Sequence, residues 1–320
     1  MKYQEFLSQF SSESITRTSS RNFSTNKIHI DQSALNIDEK VFSMFEEYAK
    51  KNNFIENFNE LMSGERLNNT ENRAVTHFNY RDAKSDIYEA SLNKMGTLAS
   101  VIKSKFKKIL IFGIGGSYLG PKLMNDIFSS QDIEIDFITG SDSAEYQNYI
   151  EQDLSDCAFI ITSKSFSTIE TLTSYSAITK GKLLDQTFAV TSAVNKAEAF
   201  GIDSNNIAQI DLGAGGRFSI WSAVNLGLFI SLGRDGFENF LSGAKSIDDL
   251  SSKDVDSNPA LSLAIQDLIM NNVLEMDSTL ILNYDYKLRN YSSYAQQLEM
   301  ESLGKSIHRD TGQALSNETR

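Results

Sequence analysis

The chain has 320 residues, 40% of them hydrophobic and 22% charged, proportions ordinary for a water-soluble globular protein with one large domain or two. A formal net charge of −12 argues against nonspecific binding to nucleic acid or to an anionic membrane, so an anionic ligand would need a local cluster of donors. A single cysteine, Cys157, excludes an internal disulfide framework and fits a reducing, cytoplasmic setting. It lies in the apolar run Cys157–Ile161 and reads as a buried structural thiol rather than a nucleophile. No apolar run approaches the roughly 20 residues of a membrane span, and MKYQEFLSQF lacks a signal-peptide core.

Residues 1–100 read as a mainly helical N-terminal extension. Apolar side chains at Val41, Met44, Phe45 and Tyr48 share a helical face, and further helices are expected over Asn72–Asn79 and Arg81–Ser104. The pattern then changes. Short apolar runs at Ile109–Phe112, Ile133–Thr139, Ala158–Thr162, Thr187–Thr191 and Ile207–Leu212 alternate with helical stretches at Gly120–Phe128, Ala144–Gln152, Ile169–Leu184 and Val194–Phe200. Such spacing predicts βαβ units in a parallel sheet over 101–235, an α/β fold. Helices follow at Ser219–Phe240 and through 244–276, broken at Asn258-Pro259. Within 236–320, a strand over Ser278–Asn283 and a helix from Tyr291 to Gly304 read as the start of a second sheet.

Four stretches carry chemistry. Gly113-Ile-Gly-Gly-Ser-Tyr-Leu-Gly-Pro-Lys122 follows the first apolar run. It has Tyr118 where a dinucleotide fingerprint needs glycine, and Pro121 where a P-loop needs lysine, so both nucleotide readings fail. A glycine turn that presents backbone N–H groups to an anion survives, beside the plainer reading of a tight strand-to-helix turn. Ser163-Lys-Ser-Phe-Ser-Thr168 puts four hydroxyls and one ammonium at a strand end, more than one N-cap requires and suited to a phosphate monoester. Arg217, in Gly213-Ala-Gly-Gly-Arg-Phe-Ser-Ile-Trp221, offers a fixed charge to a cleft or a surface ion pair. Gln297 and Glu301 share a helical face; apolar Met300 and Leu303 beside Glu301 suggest partial desolvation of a base, against the alternative of a solvated glutamate.

Together these stretches resemble the phosphoglucose isomerase family: IGGSYLGP its glycine loop, SKSFSTIET its phosphate loop, GGRFSIWSAV its GGRxSxWSAxGL segment and QQLEMESLGK its QQGxMESNGK segment. Asn69–His77 resembles the family's NxTExRAVLHxALR stretch, and the five matches keep the family's order. The resemblance implies two sugar-isomerase (SIS) domains, each a parallel sheet flanked by helices. It also implies interconversion of glucose 6-phosphate and fructose 6-phosphate through a cis-enediol, with no metal or redox cofactor. By the same resemblance, Ser163, Lys164, Ser165, Ser167 and Thr168 would hold the phosphate, with Gly116 and Ser117 lining the sugar site. Gln297 would orient the substrate, Glu301 would carry the proton between C1 and C2, and Arg217 would stabilise the enediolate.

Ser165 departs from the family's threonine but keeps the hydroxyl, and Leu298 and Leu303 replace residues often glycine and asparagine. The family's ring-opening histidine, some 30 residues beyond the glutamate and contributed by the dimer partner, and its C-terminal lysine match nothing up to residue 320. His308, His29 and His77 match no catalytic position. The expectation is a fragment of a homodimeric isomerase that takes a sugar phosphate and binds neither nucleic acid nor membrane. The competing readings are an isomerase of an amino-sugar phosphate and a sugar-phosphate-binding protein without turnover.

Overall fold

A computed structural model describes residues 3–10, 22–24, 28–33, 37–68, 72–129, 132–140, 142–255, 257–276, 278–307 and 311–314. A short helix, Tyr3–Leu7, and a two-stranded antiparallel ladder, Asn22–Ser24 with His29–Asp31, come first. Helices α1 (Glu39–Lys51) and α2 (Phe54–Ser63) follow, then α3 (Asp86–Lys105). Strands and helices next alternate: β1 (Lys108–Phe112), α4 (Leu119–Phe128), β2 (Glu134–Ile138), α5 (Ser143–Ile150), β3 (Cys157–Thr162), α6 (Ile169–Thr179), β4 (Thr187–Thr191), α7 (Val194–Phe200) and β5 (Ile207–Gln209). Helices α8 (Leu226–Ser251), α9 (Pro259–Asn272) and α10 (Tyr291–Leu303) complete the order.

The five strands form one parallel sheet in the order β2-β1-β3-β4-β5. All six residues of β3 are buried, as a strand covered on both faces requires. Side chains alternate across β1. Ile109 and Ile111 join Leu92, Met95 and Phe229 on one face, while Leu110 and Phe112 join Phe159 and Tyr175 on the other. From β1 the chain steps outward to β2, then returns to the far side of β1 for β3. The loops leaving β1 and β3 therefore part in opposite directions, which opens a crevice at the carboxyl ends of these two strands.

The chain divides into two compact units. One holds the described residues of 1–67 and 244–281, with a core of Phe6, Phe42, Phe45, Ile265 and Ile269. The other holds the sheet, within 68–243 and 282–319.

Four expectations change. Asn72–Asn79 is no helix: Arg73–Ala74 forms a short strand and turns follow. The helix expected from Arg81 starts at Asp86, where the Ser85 hydroxyl caps it by accepting from Ile87 N–H. Ser219–Phe240 is not one helix. It opens with 3-10 turns at Gly216–Trp221 and Ala223–Asn225, and α8 is interrupted at Gly233, whose φ of 71° and ψ of −179° suit glycine alone. Ser278–Asn283 pairs with no strand among the described residues, and Leu280 and Leu282 are exposed. Alternating apolar residues give a segment strand propensity, but a strand also needs a neighbour to satisfy its backbone.

Candidate active site

At the crevice lies a cleft of about 540 Å³, lined among others by Arg73, Gly116, Ser117, Lys164, Ser165 and Lys196. Among the described residues, three cations line it and no carboxylate does. In a chain of net charge −12, this is the local reversal of field that an anionic ligand requires. The loop after β3 is tightly folded. Phe166, with a positive φ of 46°, buries its ring against Phe200 at 5.7 Å. The left-handed turn at Phe166 sits between Lys164-Ser165 and Ser167-Thr168. Ser163 and Thr168 hydroxyls lie 3.0 Å apart, and Ser167 Oγ donates to Ser165 Oγ at 2.8 Å. Thr168 occupies the N-cap of α6, yet its hydroxyl makes no cap bond. The plain capping role therefore does not account for these hydroxyls. Thr162 Oγ1 and Ser192 Oγ, of two further lining residues, are buried without a hydrogen-bond partner among the described residues. Such groups are costly unless something supplies a partner.

The glycine loop closes the cleft by backbone contact. A Cβ on Gly116 would run into the carbonyl of Gly216, so glycine is required where the loops after β1 and β5 cross. Gly116 and Ser117 line the cleft.

The second cluster gathers Arg217, Gln297 and Glu301. Arg217 Nη1 lies 3.1 Å from Glu301 Oε1, and its Nε donates to Ser302 Oγ at 2.5 Å. Gln297 Nε2 donates to Glu301 Oε2 at 3.2 Å and also stands 3.2 Å from where a Cβ on Gly115 would be, placing the pair beside the glycine loop. Gln297 Oε1 is buried and unpartnered among the described residues. The shared face of Gln297 and Glu301 is thus realised. The apolar shelter expected for Glu301 is not: Met300 and Leu303 are themselves exposed, and the Glu301 side chain is 49% exposed. What organises this carboxylate is Arg217, whose side chain is 19% exposed.

Residues 72–81 support the loop that bears Arg217. Thr76 N–H donates to Gly213 O at 3.2 Å, and Thr76 Oγ1 to Asp211 at 2.7 Å. His77 stacks on Phe218 at 4.8 Å; burial, with Arg81 and Arg217 nearby, lowers its pKa to about 3. A neutral ring packed against the neighbour of Arg217 is a spacer rather than an acid. Burial likewise pushes the Cys157 thiol up to about 11, so it is a core residue. His308 and Asn69–Glu71 lie outside the described residues.

Sequence reasoning missed Arg73, Thr162, Ser192, Lys196 and Ser302. Lys196 and Ser192 follow β4, and the rule that ligands collect at the carboxyl ends of parallel strands could have singled them out. Lys196 Nζ donates to Ser165 O at 3.2 Å, tying α7 to the hydroxyl loop. Ser302 lies within the QQLEMESLGK stretch, but nothing in the sequence shows that its hydroxyl meets Arg217.

The sheet, its order and the loops at its switch point define a doubly wound α/β protein, a layout that sugar-isomerase (SIS) domains share. The sequence profile described as phosphoglucose isomerase matches residues 31–320. The chain belongs to the phosphoglucose isomerase family. It is 31% identical over 311 residues to glucose-6-phosphate isomerase of Agrobacterium fabrum, covering 87% of this chain and 57% of that protein. To the same-named protein of Shewanella baltica it is 34% identical over 281 residues, covering 77% and 52%. The chain thus spans a little over half the length of these curated relatives. A crystal structure of a glucose-6-phosphate isomerase from Chlamydia trachomatis shares the fold, with a TM-score of 0.82 at 24% identity over 98% of this chain and 67% of that one.

Proposed function

We propose that this chain carries the phosphate-binding and proton-transfer residues of a glucose-6-phosphate isomerase, interconverting glucose 6-phosphate and fructose 6-phosphate. One observation carries the reading: a carboxylate, a guanidinium and a carboxamide are hydrogen-bonded together beside a glycine loop that also lines a cationic, hydroxyl-rich cleft. The phosphate would lie against Ser163, Lys164, Ser165, Ser167 and Thr168, remote from the reacting carbons, so that its binding energy orients them. Glu301 takes the C2 proton of the open-chain aldose. The C1 carbonyl oxygen becomes the enediolate oxygen, and Arg217 compensates its charge. The O2 hydroxyl proton passes to O1, and the same carboxylic acid returns its own proton to C1, giving the C2 ketone with no net change in atoms or electrons. Gln297 orients the hydroxyls.

The test is incubation of fructose 6-phosphate with the chain in deuterated water, followed by NMR. Deuterium at C2 of the aldose that is lost in Glu301→Gln supports the assignment; undiminished incorporation in that variant removes Glu301 as the base. A second reading, sugar-phosphate binding without turnover, is favoured by the exposure of Glu301 and its engagement by Arg217. Binding of substrate with no exchange at C2 would select it.

A further inference from the structure

Asp126, on α4, has a side chain only 5% exposed, and no step of the proposed reaction uses it. Its carboxylate is saturated by partners. Oδ1 accepts from Lys122 at 2.5 Å, one turn earlier on the same helix, and from Arg289 at 2.7 Å. Oδ2 accepts from the Asn290 carboxamide. Arg289 is itself held, its guanidinium 4.4 Å above the Tyr286 ring and donating to Tyr286 O at 3.1 Å. Asn290 is the N-cap of α10 but makes no side-chain bond to its own helix. The residue type suited to capping α10 is instead turned onto α4.

The contact continues along one face of α10. Tyr294, four residues on, presses against α4 at Gly120, where an added Cβ would stand 3.2 Å from its ring. Gln297 reaches Gly115 in the loop from which α4 emerges, and Glu301 follows one turn later. Residues 290, 294, 297 and 301 therefore form a single stripe, anchored at one end by Asp126 and ending at the carboxylate.

We propose that Asp126 is a positioning residue. It keys α10 to the helix of the glycine loop, and so sets the height and rotation at which Gln297 and Glu301 meet that loop. The catalytic meaning of this key rests on the reading of Glu301 given above; the mechanical statement does not.

The test is backbone hydrogen exchange of the 320-residue chain by mass spectrometry, with inorganic phosphate binding on the same samples. Asp126→Asn should speed exchange in 291–303 by roughly tenfold or more, while 157–162 and the phosphate affinity stay within roughly twofold of the parent. Arg289→Gln, at the other end of the contact, should reproduce the effect. Lys122→Ala, which removes a partner on α4 alone, should leave 291–303 within roughly twofold. Asp126→Glu should restore part of the protection. Where turnover is measurable, kcat for fructose 6-phosphate should fall roughly tenfold or more in Asp126→Asn with KM within roughly threefold. Unchanged exchange in 291–303, or equal loosening of 157–162, overturns the proposal. If Asp126→Asn loosens α10 but Glu301→Gln leaves C2 exchange intact, the key stands and the assignment of Glu301 fails instead.

Discussion

The loop that would hold the phosphate leaves a strand with all six residues buried, and its hydroxyls bond one another. The helix that carries Glu301 has one buried residue, Ala295, and follows a segment whose Leu280, Leu282 and Tyr284 are all exposed. The first region owes its order to the sheet. The second owes it to a few side chains: Asp126, Tyr294 and Arg217. On the proposed reading, binding falls to the part braced by the sheet and proton transfer to a part held by fewer side chains.

The sharpest way to separate the two regions is Glu301→Gln. Loss of the base should lower C2 exchange by about 100–10,000-fold, while inorganic phosphate binding changes by less than roughly twofold. A loss of both together would mean that the regions are not independent. Arg217→Met should come next, with kcat down about 100–1,000-fold, as for a positioned donor to a developing oxyanion. Arg217→Lys should recover little, because an ammonium lacks the planar fork whose Nη1 and Nε meet Glu301 and Ser302 separately.

Cleft substitutions should show the reverse pattern. Lys164→Met should weaken inorganic phosphate binding by about 10–100-fold, the range for a lost charge-assisted hydrogen bond. Lys196→Met should cost about tenfold or less, since this exposed ammonium also serves Ser165 O. Titration calorimetry with phosphate checks both, and a larger effect at Lys196 would reverse their assigned importance.

The same contrast explains what could be read in advance. Strands at Thr187–Thr191 and 158–162 announced themselves as uninterrupted apolar runs, because a strand buried on both faces needs nothing else. The hydroxyl loop stood out because four hydroxyls exceed the needs of one cap. Ser278–Asn283 misled because propensity is local and pairing is not. Asn72–Asn79 misled similarly: Thr76 bonds to Gly213 and Asp211, more than a hundred residues away, while Asn79 N–H closes only a turn on Thr76 O. Asp126 gave no signal, and Ser302 none beyond its place in the QQLEMESLGK stretch, since their contacts lie wholly in what the fold brings beside them.

The smallest expected effect concerns His77, which belongs to neither the sheet nor α10 but underpins the loop of Arg217. Its folded pKa of about 3 lies below the ordinary 6.5, first because it is buried and then because Arg81 and Arg217 are close. Below pH 6.5 the unfolded chain takes up a proton at this ring that the native chain refuses. Stability must therefore fall as pH drops from 6.5 towards about 3, by at most about 1.4 kcal/mol per pH unit. His77→Phe keeps a ring for stacking on Phe218 and removes the titration. In urea unfolding at about pH 7 and about pH 4.5, the loss of stability in the parent should exceed that in the variant by about 2–3 kcal/mol. Carboxylates titrate in both chains over this interval and cancel in the difference. Equal losses would mean that the native fold admits the proton, and that the space between Arg81 and Arg217 is wetter than the buried ring implies.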